Sequence, residues 1–278
     1  MPRVETNDIE TYYESDGEGP PIVFVHGAWV DHRLWMPQVE ALSNEYRVIT
    51  YDLRGHGRTG SSADRNYTIE LLAADLRALI GSLDLARPVV CGLSLGGMVA
   101  QLYAVRYDEL PGLVLADTAV STRLTRSDRL QRLLFPDWSM RGTVRLLGPE
   151  RYVDWAFRLA KYTRSADWFG RDAAVQEYVR ETMSAFETRE FNAVFDAIYG
   201  FRRTDLAAID APTLVVNGEF ESRSVFEHAA YIERTVPDAR SVVVPEAGHV
   251  ANLENPEAFA RELRTFLGSL PARGNGRK

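Results

Sequence analysis

Cysteine is almost absent from this chain of 278 residues, with Cys91 standing alone. A single thiol excludes an internal disulfide framework and a thiolate metal cluster, and it fits a reducing compartment. Long apolar runs are missing too. The longest, Ile22 to Val25 and Leu113 to Ala116, fall far short of the ~20 residues that a membrane-spanning helix requires. Met1 to Asp8 mixes charges with a proline and lacks the apolar stretch of a signal peptide, so a cytoplasmic location is expected. Basic charge is in deficit: 32 Lys and Arg face 39 Asp and Glu, a net −7. That excludes the basic face of a dedicated nucleic-acid binder, and no membrane partner is expected either. No internal repeat recurs, and low complexity is confined to Pro271 to Lys278, a tail expected to fray.

What is present is an ordinary globular composition, 45% apolar and 26% charged. Short β-branched runs bounded by Gly, Pro or polar residues read as strands: Pro21 to His26, Tyr46 to Tyr51, Pro88 to Gly92, Gly112 to Ala116, Pro212 to Asn217 and Ser241 to Val244. Between them, Ile69, Leu72, Leu76, Leu79 and Ile80 recur at helical spacing, as do Phe259, Leu263 and Phe266. Alternation of this kind predicts an α/β fold with a mostly parallel sheet and helices on both faces. The first dozen residues, with Asn7 and Asp8 between Val4 and Ile9, predict an antiparallel hairpin at the sheet edge. From Ser121 to Asp205 no strand signal occurs. These 85 residues read as a helical insertion, leaving 1–120 and 206–278 as the core domain. The insertion holds 15 basic and 12 acidic side chains, a net +3, against −10 for the remainder.

The chemistry centres on Cys91-Gly-Leu-Ser-Leu-Gly-Gly97. A G-x-S-x-G pentapeptide directly after a strand and before a helix places its serine, Ser94, on a sharp turn over the C-terminal sheet edge. The helix N-terminus and the Leu95 N–H then favour a developing oxyanion. A phosphate loop would need Gly-Lys-Ser/Thr, and no lysine is near. A histidine at the same edge is His249, in the loop between the last strand and the final helix. His32 and His228 fall in helical stretches and read as packing or surface residues. Asp52, Arg54 and His56 read as braces of a Gly-rich turn. Among the acids, Glu219 and Glu221 would point the same way if extended and apart if the chain turns, and Glu246 reads as a solvated loop charge.

Taken together, H-G-A-W from His26, D-L-R-G-H-G from Asp52, G-L-S-L-G-G-M-V-A-Q from Gly92 and A-G-H-V-A-N-L-E-N-P from Ala247 resemble the α/β-hydrolase superfamily over nearly the whole chain. The elbow and Leu113-Val-Leu-Ala-Asp-Thr-Ala119 look most like the 3-oxoadipate enol-lactonase and carboxylesterase branches. The resemblance implies Ser94 as nucleophile and His249 as base, in the chain order serine, acid, histidine. It implies the Ala28 and Leu95 N–H groups as oxyanion donors. The acid normally follows the strand preceding the histidine, three residues after a glycine, where this chain has Glu221 in place of the usual aspartate; Asp117 is the alternative. The implied function is hydrolysis of a small-molecule ester or lactone through an acyl-enzyme.

An aspartate where Ser94 stands would mark an epoxide hydrolase or haloalkane dehalogenase. Cofactor-free haloperoxidases and carbon–carbon bond hydrolases differ in the turns after their first strands and at the elbow, and they stand as lower-ranked alternatives. Neither metal nor organic cofactor is implied: H-E-x-x-H and C-x-x-C are absent, and no G-x-G-x-x-G opens a Rossmann unit. The insertion would form a cap whose aromatics, Trp138, Trp155, Trp168, Phe135, Phe157 and Phe169, mostly pack while some line the entrance. Its Arg123, Arg126, Arg129 and Arg132, three residues apart, could share one helix side and draw in carboxylate-bearing substrates. A non-catalytic ligand-binding protein on the same fold remains the alternative of a different class.

Overall fold

A computed structural model of the chain describes residues 2–61, 66–107, 110–163 and 172–271. The apolar runs become strands of one sheet: β1 (Arg3–Thr6), β2 (Ile9–Asp16), β3 (Pro21–Val25), β4 (Arg47–Tyr51), β5 (Val89–Leu93), β6 (Leu113–Ala116), β7 (Thr213–Gly218) and β8 (Ala239–Val244). Their order is β1-β2-β4-β3-β5-β6-β7-β8. The predicted hairpin β1–β2 pairs antiparallel at the edge and joins β4 antiparallel, while β4 through β8 run parallel. β8 starts at Ala239, earlier than its apolar run suggests, because an edge strand with half-exposed residues needs no continuous apolar signal.

Helices fill the crossovers: α1 (Met36–Leu42), α2 (Ile69–Ser82), α3 (Leu95–Arg106), then α4 (Arg126–Leu134), α5 (Asp137–Leu147), α6 (Pro149–Thr163), α7 (Ala173–Ser184) and α8 (Thr188–Gly200) between β6 and β7. The chain closes with α9 (Arg223–Thr235), α10 (Ala251–Glu254) and α11 (Pro256–Ser269). Strand side chains alternate between two cores. Val23 and Val25 face α2 and α3, packing with Leu72, Leu76, Leu79, Val99 and Leu102, whereas Ile22 and Phe24 face α1 and α11 with Leu42, Phe259, Leu263 and Phe266. All five apolar positions that predicted α2 are buried. Each contributes about 1.5–3 kcal/mol relative to exposure, far more than the cap at Thr68, whose Oγ accepts from the Leu71 N–H.

The D-L-R-G-H-G turn is braced as its sequence suggests. Asp52 accepts hydrogen bonds from the His32 and Arg58 N–H groups and from His32 Nδ1, and Arg54 pairs with Asp75 and Asp8. His26 and His56 lie inside, their ring centroids 5.1 Å apart and their planes tilted by 56°. His26 Nδ1 donates to Gly27 O and its Nε2 accepts from the Leu53 N–H, which fixes a neutral tautomer. Burial pushes His56 down to about 3, with His26 adding to the effect, and burial lowers His26 as well. Depressed folded values mean that the unfolded chain binds more protons than the folded chain below its histidine pKa of 6.5. Stability therefore falls as pH drops from about 6.5 toward 4. In urea titrations across that range, His56→Asn is expected to flatten the dependence; an unchanged slope would mean that these rings do not set it.

Candidate active site

Parallel strands deliver their C-terminal ends to one edge, and the candidate site residues lie in the loops there. Ser94 caps α3 with φ 54° and ψ −113°, an uncommon conformation for a residue with a side chain. The glycines around it are demanded by contact. A Cβ on Gly92 would lie 2.2 Å from Gly96 O, and one on Gly96 would lie 2.2 Å from Val25 O, so α3 can approach β3 and β5 only without side chains there. Their reason is helix-to-strand packing rather than room for the serine itself.

His249 sits between β8 and α10. Its Nε2 is 3.1 Å from Ser94 Oγ, and its Nδ1 is 2.5 Å from Glu221 Oε2. The Glu221 carboxylate is fully buried and its other oxygen accepts from the Ser222 N–H at 2.5 Å. A turn, closed by the Glu221 N–H on Gly218 O, separates the two glutamates. Glu219 points outward and accepts from the Glu246 N–H, leaving Glu246 at the surface. Asp117, the alternative acid, accepts from the Gly218 and Ala251 N–H groups, and no hydrogen bond joins it to the imidazole ring among the described residues. Nδ1–H donating to Glu221 leaves Nε2 free to accept the Ser94 hydroxyl proton.

Gly27 ends beside the serine: a Cβ there would be 3.5 Å from Ser94 Cβ, which puts the Ala28 loop next to Ser94. Leu95 opens α3 with its N–H at the helix terminus. Among the described residues neither the Ala28 nor the Leu95 N–H donates to a backbone carbonyl. Trp29 continues this loop, stacking on Phe191 at 4.8 Å and donating its indole N–H to Phe191 O. Phe195 meets the same ring edge-on at 4.7 Å. These aromatics of α8 join the helices between β6 and β7 to the site. Trp138 is 70% exposed and Trp155 39%, while Trp168, Phe169 and the tail after Pro271 lie outside the described residues. Sequence reading also passed over Glu254, whose carboxylate accepts from the Gly248 and Val250 N–H groups on either side of His249.

A cleft of about 180 Å³ opens beside His249, walled in part by Thr122, Gln131, Arg132, Tyr199 and Ser222. Its acid, Asp128, is engaged: despite burial, hydrogen bonds from His228 and Ser224 hold its carboxyl well below the usual range. Arg132 NH1 donates to Thr122 Oγ1 and to Tyr199 O, and the guanidinium lies over the Tyr199 ring. The four arginines do not share a side. Arg123 precedes α4, Arg126 and Arg129 are exposed, and Arg132 turns inward, since three-residue steps drift by about 60° around a helix.

Among the described residues no three His, Cys, Asp or Glu side chains are grouped to ligate a metal, and no helix is long and apolar enough to cross a membrane. The 3-oxoadipate enol-lactonase 1 of Acinetobacter baylyi is 26% identical over 259 residues, 90% of each chain. The enol-lactonase of Burkholderia xenovorans LB400 superposes with a TM-score of 0.83 at 28% identity, over 96% of this chain and 100% of that one. The malate-bound thermophilic esterase of Thermogutta terrifontis gives 0.81 at 29%, over 96% and 98%. The model of the alpha/beta hydrolase family matches residues 22–262, from β3 into α11 and across every loop that carries the site. With that match spanning most of its length, the chain is a hydrolase belonging to the alpha/beta hydrolase family.

Proposed function

We propose that the chain is a serine hydrolase that cleaves a carboxylic ester or lactone through an acyl-enzyme. The observation that carries this reading is the continuous relay Glu221–His249–Ser94, aimed at a turn whose neighbouring N–H groups have no backbone acceptor among the described residues. His249 Nε2 takes the Ser94 proton as Oγ attacks the carbonyl carbon, and the resulting imidazolium is stabilised by Glu221. Charge developing on the carbonyl oxygen is met by the Leu95 and Ala28 N–H groups and by the positive end of α3. His249 then protonates the departing alkoxide, which in a lactone stays attached as the far end of the opened ring. Water, deprotonated by the same Nε2, attacks the acyl carbon, and collapse returns the proton to Ser94 Oγ.

The α4–α8 segment serves in this reading as a cap over the site, with Trp29, Phe191 and Phe195 as its seam. Similarity to enol-lactonases and to an esterase supports the ester or lactone bond as the target. Hydrolysis of p-nitrophenyl esters of graded chain length, run beside lactones and enol-lactones, tests it: turnover of at least one class is expected, and inertness toward all would leave a ligand-binding protein on this fold.

Arg132 gives the substrate a further character. Its guanidinium is held in place by Thr122 and Tyr199, it borders the same cleft as His249, and among the described residues no carboxylate pairs with it. Esters and lactones that carry a second, ionised carboxylate fit that arrangement. Such esters are expected to exceed neutral ones of equal size in kcat/KM, with an advantage that shrinks as salt rises and falls roughly tenfold in Arg132→Gln. Equal values for both classes, independent of salt, would exclude the attraction.

A further inference from the structure

We propose that Asp117 is a positioning residue that holds the acid-bearing and base-bearing loops in register, an inference that rests on the serine-hydrolase reading above. Asp117 leaves β6 with φ 43°, a left-handed conformation that aspartate tolerates better than most residues. This bend turns the carboxylate inward, where it is 1% exposed. Oδ1 accepts from the Gly218 N–H at 2.9 Å, at the end of β7, three residues before Glu221. Oδ2 accepts from the Ala251 N–H at 3.4 Å, two residues after His249.

The residues on either side secure the serine loop. Ala116 O accepts from the Ser94 N–H at 2.9 Å, and Thr118 Oγ1 donates to Ser94 O at 2.6 Å. The three residues 116–118 therefore touch the loops of nucleophile, acid and base together. Among the described residues no cation pairs with Asp117. Burial pushes its carboxyl up, and the neighbouring Glu221 and Glu254 add to the push, while the two N–H groups oppose it. A buried acid beside two others is a costly way to stabilise a fold. Its two acceptors span two loops, and this supplies the reason for its presence: relaxation of either loop would lengthen the His249–Glu221 contact.

The test compares Asp117→Ala and Asp117→Asn with the parent protein, each checked by circular dichroism and thermal melting, on a hydrolysed p-nitrophenyl ester. Asp117→Ala is expected to lower kcat roughly tenfold with KM within about twofold. The acid limb of kcat/KM should move to lower pH, because a carboxylate held less firmly against the imidazole stabilises its charged form less. Asp117→Asn keeps one acceptor and the volume, so a smaller loss in the same direction is expected, and this variant decides the matter if the alanine variant does not fold. A folded Asp117→Asn and Asp117→Ala pair with parental kcat and pH profile, or a loss confined to KM, overturns the positioning role. Ser94→Ala run alongside separates the two levels. If it is inactive while the Asp117 variants are normal, only the positioning role falls; if it retains turnover, the serine mechanism falls and the positioning role with it.

Discussion

Replacing Ser94 by alanine is expected to lower kcat for ester hydrolysis by on the order of 10⁴–10⁶, with the fold intact. Ser94 is half-buried and its Oγ has one described partner, His249 Nε2 at 3.1 Å, so its removal takes away the proposed nucleophile and very little packing. The elbow itself is secured elsewhere. The Ser94 N–H and C=O are bound to Ala116 O and Thr118 Oγ1, and Gly92 and Gly96 close the helix–strand contact, none of which needs the hydroxyl. A melting temperature within a few degrees of the parent is therefore expected beside the kinetic loss. Residual activity would come from the oxyanion donors and from substrate binding.

Glu221→Gln should cost on the order of 10²–10⁴ in kcat, and Asp117→Asn far less. The amide keeps the shape of the side chain but presents a neutral group to the imidazole. It can no longer stabilise the imidazolium by charge, and it can present an N–H where Nδ1–H needs an acceptor. Asp117 does not touch the ring, so its effect passes only through the loops that it ties. The lower end of the range for Glu221 is set by Glu254, whose carboxyl group lies near enough to His249 to interact with its charge. Measured with circular dichroism on both variants, the opposite ranking would make Asp117 the acid and Glu221 a loop charge.

The core strands and the two long helices α2 and α11 were legible because each needs an unbroken pattern to fill a buried face: Val23 and Val25 on one side, Ile22 and Phe24 on the other, Leu72, Leu76 and Leu79 one turn apart. Ser94 and His249 were legible because the geometry of a strand-to-helix elbow constrains its neighbours in sequence. The candidate acid was legible only as a choice between Glu221 and Asp117, since the turn at Gly218 that aims Glu221 inward and Glu219 outward is made by backbone hydrogen bonds that leave no pattern in residue type. Contacts between distant segments were hidden for the same reason. Trp29 meets Phe191 across 162 positions, and Arg132 finds Tyr199 across 67, so neither is written in local spacing. Regular three-residue spacing suggested one basic helix side, but Arg123 lies before the helix begins and the remaining arginines fan around it.

In the proposed mechanism His249 and Glu221 activate Ser94 as a nucleophile. Reaction with a fluorophosphonate tests it directly, because phosphonylation consumes the activated hydroxyl whatever the natural substrate. Intact-mass and peptide mass spectrometry are expected to show one equivalent of adduct, on Ser94, formed rapidly in the parent protein, slowly in Glu221→Gln and not at all in Ser94→Ala. Absence of an adduct in the folded parent protein, or an adduct on a different side chain with Ser94 unmodified, would contradict it.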